Sequence, residues 1–228
     1  MWEQFWSAAD VERYSKRTDT KFCRVPLSAV TEDRGLGNPF LVKLLTILPE
    51  GCFIAGGCMA NLLGEREDIK DIDMFFRDNQ SLEGMIELVN EGFDGEWCHG
   101  EAVYKTTYDP EIGGYNPRCI NFTCDGFPTI QMINTMRYGS PEAVIDTFDF
   151  TISMVATDGT DLVFHPLAPL DIARKRLVLH RMTFSASTIG RLAKYAKRGY
   201  YACPGSLLAI SQAIRDTEAN GDEYQYVD

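Results

Sequence analysis

Phe53-Ile54-Ala55-Gly56-Gly57, followed after a short polar link by Ile69-Lys70-Asp71-Ile72-Asp73-Met74-Phe75-Phe76, reads as a buried strand, a diglycine turn and a second buried strand carrying two carboxylates. Side chains alternate faces along an extended strand. Asp71 and Asp73 therefore point the same way, about 7 Å apart along the chain, while Ile72 and Met74 face the opposite side. Two like charges on one face of an apolar strand raise one pKa or oppose folding unless a cation compensates them, and Mg²⁺ is the commonest such cation for carboxylate oxygens. The pattern points to metal-dependent phosphate chemistry, with Asp71 and Asp73 as metal ligands. Gly56 and Gly57 would let a phosphate approach backbone N–H groups at the start of the following helix. A diglycine by itself also fits a plain strand-to-helix turn; the aspartates beyond it shift the reading.

Working outward, the chain has an apolar content of 45% with 13 Phe, 10 Tyr and 3 Trp, which is that of a globular protein. Apolar runs such as Phe40 to Leu48 fall short of the roughly 20 residues that cross a bilayer. The N-terminus Met1-Trp2-Glu3-Gln4 lacks the basic n-region of a signal peptide, so the expected location is the cytoplasm, with no membrane association. The seven Cys form no CxxC motif and are expected to be reduced. The formal net charge of −11 argues against nonspecific coating of nucleic acid. Between Arg174 and Arg198, however, eight basic residues occur with no acidic one, an expected local anion-attracting surface.

Residues 1–50 are expected to be largely helical, from Trp2, Phe5, Trp6 and Ala9 at helical spacing to an apolar helix over Phe40 to Leu48. Strands are expected at Cys52 to Ala55 and Lys70 to Phe76, with a helix over Gly57 to Leu63 between them and an amphipathic helix over Ser81 to Asn90. Alternating segments around 102–107, 118–123 and 129–133 follow. Ser140-Pro141 is a helix start, and Asp158-Gly159 is a hairpin turn between Asp149 to Thr157 and Asp161 to Phe164. Helices are expected over about 169–176, 185–198 and 205–217, then an acidic tail. The boundary falls near 165, between a mixed head over 1–165 and a helical part with the tail over 166–228.

The run FIAGGCMANLLGEREDIKDIDMFF resembles the head of the DNA polymerase β-type nucleotidyltransferase superfamily, whose signature is a diglycine or Gly-Ser followed by Asp-x-Asp. Within it the chain is most similar to the CCA-adding enzyme and bacterial poly(A) polymerase group. Asp149-Phe150-Thr151-Ile152-Ser153-Met154-Val155-Ala156 resembles that group's DFTINAMA, though preceded by Thr147-Phe148 where the group has two arginines. LVFHPLAPLDIARKRLVL and the segment Ile189 to Gly199 resemble two further motifs, the second being the basic neck helix. The resemblance covers about 52–200. It implies an α+β fold, a nucleotidyltransferase-type mixed sheet flanked by helices with a small C-terminal helical neck.

What the resemblance implies about function is transfer of a nucleoside monophosphate from an NTP to a hydroxyl acceptor with Mg²⁺, the acceptor being an RNA 3′ end, a small molecule or a protein side chain. Asp149 would bind ribose or order the site, and Arg191 and Lys194 would contact base, phosphate or acceptor. The departures matter equally. Met59-Ala60-Asn61 replaces a Val-Arg-Asp, the neck lacks the Glu-Asp and first Arg that select CTP and ATP, and CCA addition itself is not expected. The superfamily's third carboxylate is matched by Gln131, which can ligate through its carbonyl oxygen but supplies no charge and no general base. Either two aspartates suffice, another acid such as Asp149 or Asp125 contributes, or the chain is a catalytically impaired module that binds nucleotide, RNA or a protein partner.

Overall fold

The structure, a computed structural model, describes residues 22–34, 38–63, 69–91, 101–109, 114–123, 126–182 and 185–220. The expected helix around Trp2 to Ala9, the acid Asp125 and the end of the tail lie outside these residues. In chain order the elements are β1 (Cys23–Pro26), α1 (Leu27–Arg34), α2 (Pro39–Thr46), β2 (Cys52–Ala55), α3 (Gly57–Ala60), β3 (Asp71–Phe76), α4 (Asn79–Asn90), β4 (Glu101–Asp109), β5 (Gly114–Thr123), β6 (Thr129–Ile133), α5 (Pro141–Ile145), a 3₁₀ turn at Thr151–Ser153, β7 (Val155–Thr157), β8 (Asp161–Phe164), α6 (Ala168–Ala173), β9 (Arg176–Leu177), α7 (Ser185–Lys197), β10 (Tyr201–Ala202) and α8 (Pro204–Asn220).

Among the described residues eight strands form one mixed sheet in the order β1-β8-β7-β2-β3-β6-β5-β4. The β3–β6 pair is parallel and the others are antiparallel. The alternation in β3 decides how this sheet is filled: Ile72, Met74 and Phe76 are fully buried and join Ile54, Ile130, Met132, Ile120 and Phe122 in the main core. On the opposite face Phe75 joins Phe53, Ala55, Val144, Ile145 and Val163 under α5. The apolar covering of that face ends at Phe75. Two residues toward the start of β3 it gives way to Asp73, and two residues further to exposed Asp71.

Helix ends follow local chemistry. Asn38, Asp78 and Ser140 cap α2, α4 and α5, each accepting a backbone N–H three residues on, with Pro39 and Pro141 at the first turns. No described helix is long and apolar enough to cross a membrane. The cysteines at 23, 52, 58, 119 and 203 are free.

Three expectations change. Cys23–Pro26, placed in a helical region by sequence, pairs with β8 as an edge strand, where Arg24 gathers Glu142, Asp158 and Asp161. Residues 149–154 are not a strand: Phe150 bridges Leu179, and Thr151 N–H donates to Val178 O, so the segment folds into a turn before β7 begins. The helix expected over 169–176 stops at Ala173, because Lys175 takes φ +50° and Arg176 turns inward to a two-stranded pairing with β10. There Arg176, 3% exposed, donates from both Nε and Nη2 to Oδ1 of fully buried Asp171, whose other oxygen accepts from Thr151 Oγ1 at 2.6 Å. The C-terminal helices share the main core through Ile210 and through Tyr195, whose ring meets Phe150 edge-on at 6.1 Å.

Removing one member of a buried ion pair strands the other charge. Arg176→Met is therefore expected to cost about 3–5 kcal/mol. Asp171→Leu combined with Arg176→Met should cost clearly less than the two single changes added together, as read by urea unfolding.

Candidate functional site

The site forms where β2 runs out and β3 begins. Antiparallel pairing sets Ala55 opposite Asp73, and the chain leaves β2 through Gly56 at φ +89°, ψ −147°, a conformation that side-chain-bearing residues rarely adopt. A Cβ built on Gly56 would lie 3.4 Å from Asp73 Oδ2 and 3.8 Å from Phe148 Cε2, so backbone, carboxylate and aromatic ring converge there. A Cβ on Gly57 would meet nothing within 4 Å, leaving the turn open at that residue. The following helix is a single turn, Gly57–Ala60, shorter than expected from sequence. A helix so short contributes little macrodipole, and the turn's part in holding an anion would rest on backbone approach.

Across the sheet the parallel register sets Gln131 beside Asp73 and Thr129 beside Asp71, and β5 adds Asn121 beside Gln131. Paired residues share a face. Asp73, Gln131 and Asn121 thus form one row, with Asn121 also accepting from the Cys119 thiol at 3.1 Å. The position that resemblance gave to a third acid is occupied by an amide directly flanking Asp73. Among the described residues no group of three or more His, Cys, Asp or Glu side chains is arranged to hold a metal ion. A cation here would have two carboxylates and neutral oxygens as donors.

Burial pushes the Asp73 carboxyl up to about 6, and the like charge of Asp71 adds to the rise. Lys194 and Arg191 oppose it, which places the positive face of α7 within electrostatic reach of the pair. Beneath the turn, buried Cys58 is pushed up to about 12 by desolvation and by the Asp73 charge. Arg191 Nε donates to Asp149 Oδ2 at 2.6 Å. The structure therefore gathers Gly56, Gly57, Asp71, Asp73 and Gln131 at one end of the sheet, and joins Asp149 to Arg191 alongside. The expected basic surface is partly consumed: Arg176 pairs with Asp171, Arg181 with Asp146 and Arg191 with Asp149, while Lys175 and Arg198 lie over tyrosine rings.

Sequence reasoning missed Asn121, Phe148 and Cys58. Asn121 and Phe148 become neighbours of the acids through cross-strand register and a turn, which local periodicity does not encode. Cys58 follows the diglycine directly and could have been found there.

Comparison with known proteins adds two findings. A family model described as Gabija anti-defense 2 family protein matches residues 24–175. A protein named Gabija anti-defense 2, from Bacillus phage SPbetaL7, is 27% identical over 105 residues, 46% of this chain and 22% of that protein. Among solved structures, a CCA-adding enzyme with CTP superposes with TM-score 0.59 at 13% identity over 87% of this chain and 48% of that one. The Thermotoga maritima CCA-adding enzyme complexed with tRNA gives TM-score 0.57 at 14% identity, covering 87% and 47%. The chain thus spans about a fifth of the curated relative and about half of these structures. At such identity the likeness shows the fold alone, an α+β nucleotidyltransferase-type sheet with its helices.

Two outcomes follow from this geometry. Asp73 titrates higher folded than unfolded, so the folded state binds its proton more tightly and this residue's contribution to stability falls as pH rises from about 4 through about 6. Asp73→Asn should therefore melt above the unmodified protein at pH 7.5, with the difference shrinking toward pH 4 in thermal unfolding without divalent cations. Gly56→Ala should cost about 1–3 kcal/mol through strain at its positive φ, whereas Gly57→Ala should leave the melting temperature nearly unchanged.

Proposed function

The chain belongs to the Gabija anti-defense 2 family, and on that footing we propose that it is a metal-dependent nucleotidyltransferase, moving a nucleoside monophosphate from an NTP to a hydroxyl acceptor. The observation that carries this is the row in which Asp73 stands between the Gly56 turn and Gln131, with Asp71 on the same face and two α7 cations in reach.

The donor set suits Mg²⁺. It is all oxygen, and half-buried Asp73 carries a charge that its surroundings disfavour, so a divalent ion relieves the pair. Asp71 and Asp73 would hold the ion, with the Gln131 carbonyl as a neutral third donor. When bound, Mg²⁺ neutralises phosphate oxygens and the charge that develops on them. Gly56 and Gly57 let the triphosphate approach the backbone, and Arg191 and Lys194, at i and i+3 of one helix, attract its charge. Gln131 can orient the acceptor hydroxyl by accepting its hydrogen bond but cannot take its proton.

The acceptor is an RNA 3′ end, a small molecule or a protein side chain. The CCA-adding enzyme structures of similar fold hold CTP, ATP or tRNA, and a nucleotide with an RNA acceptor is the form of the reaction those structures suggest. In an anti-defense family the machinery of the defence is the first place to look for that acceptor.

A second reading is favoured by one feature. The neutral Gln131–Asn121 pair beside Asp73 supplies no base, which suits a module that binds nucleotide, RNA or a protein partner without turning over.

With Mg²⁺ and α-labelled NTPs, the unmodified protein should transfer label to an acceptor and Asp73→Ala should abolish transfer. Label transfer persisting in that variant would remove the site from the mechanism. Mg²⁺-dependent NTP binding in isothermal titration, lost in Asp71→Ala but without turnover, would support the second reading.

A further inference from the structure

Asp149 is where the C-terminal helices are fastened to the sheet. Its carbonyl oxygen accepts the backbone N–H of His180 at 2.7 Å and of Arg181 at 3.4 Å. Its neighbour Phe150, fully buried, bridges Leu179 and packs edge-on against Tyr195 of α7. Its side chain is 7% exposed, and Oδ2 is engaged by Arg191 Nε, whose side chain is 49% exposed. A carboxylate so covered, with one oxygen already committed to a guanidinium, has little room for the two hydroxyls of a ribose. Arginine presents a rigid fork of donors. With Nε fixed on Asp149, the terminal nitrogens of this half-exposed side chain are left to meet an anion in a preset orientation.

We propose that Asp149 is a positioning residue that anchors Arg191, and with it the Arg191–Lys194 face of α7, beside Asp73, so that it serves the triphosphate and not the sugar. The inference rests on the nucleotide reading above. Its physical content is preorganisation. Arg191 starts on a long, flexible side chain, and holding it in place before the ligand arrives removes an ordering cost that binding would otherwise carry. Lys194 lies one helical turn further on and is positioned by the same docking of α7.

Inorganic tripolyphosphate separates the two roles because it has phosphates and no ribose. Isothermal titration of tripolyphosphate and of ATP, each with Mg²⁺, is compared for the unmodified protein, Asp149→Asn, Arg191→Ala and the double variant, with thermal melts confirming that each is folded. Both single changes should weaken tripolyphosphate by roughly tenfold, the size of one lost charge-assisted hydrogen bond. The double variant should be no weaker than Arg191→Ala alone, since Asp149 acts through Arg191. Should Asp149→Asn weaken ATP while leaving tripolyphosphate untouched, Asp149 serves the ribose and the proposal is wrong. Additive losses in the double variant, or an Arg191→Ala protein that binds both ligands normally, overturn it as well. If the unmodified protein binds neither ligand, this proposal falls together with the nucleotide reading, an outcome distinct from the first three, which leave that reading standing.

Discussion

A carboxylate held on an interior strand is the constraint around which the rest of the molecule is arranged. Asp73 is hydrogen-bonded into the sheet on both sides through its backbone, between β2 and β6, so it cannot swing its Cα toward water. Its neighbours Ile72 and Met74 are fully buried on the other face and fix which way it points. A one-residue slip in β3 would drive Asp71 and Asp73 into the main core and expose Ile72 and Met74, so the register that makes the site is the same register that makes the fold. The site is disfavoured locally and enforced globally, an arrangement expected of binding and catalytic groups.

The cations that moderate this charge come from the far end of the chain. Arg191 and Lys194 bear on Asp73 because α7 is held by Phe150, by the Asp149 contacts and by the buried Asp171–Arg176–Thr151 cluster a few residues away. The segment 149–151 thus links three functions of the structure: it turns the chain into β7, ties down β9 and the residues after it, and seats the basic helix. A run of basic residues that in sequence suggests an open surface for anions is, in space, largely drawn into pairing within the protein, with Arg191 and Lys194 also within electrostatic reach of Asp73.

The parts of this arrangement that were legible in sequence are those written in short-range pattern. The short apolar run at 53–55 and the alternation in 71–76 gave both central strands, the latter also the shared face of Asp71 and Asp73; Ser140 with Pro141 gave the start of α5. What escaped depends on tertiary pairing. Cys23–Pro26 has no strand signature strong enough to outweigh its helical surroundings, and it becomes a strand because β8 offers an edge. Arg176 sits in a segment of helical composition, yet the buried Asp171 draws it out of the helix. Asn121 and Phe148 lie beside the acids through register and a turn, and one chain's periodicity does not encode either.

Gln131 then acquires a physical meaning that its identity alone did not carry. The register sets it directly beside Asp73, so a carboxylate in its place would be a third negative charge next to a group already pushed up to about 6 by burial and by Asp71. Such a site would resist folding without a divalent ion far more strongly. The amide keeps an oxygen donor and removes that repulsion, and it gives up the base that would take a proton from an attacking hydroxyl. On the nucleotidyl-transfer reading proposed above, the amide would give up metal affinity and acceptor activation for a sheet that is stable before its ligands arrive. On the same reading, chemistry at this site would depend on an acceptor whose hydroxyl ionises with little help, or on a proton acceptor brought by the partner itself.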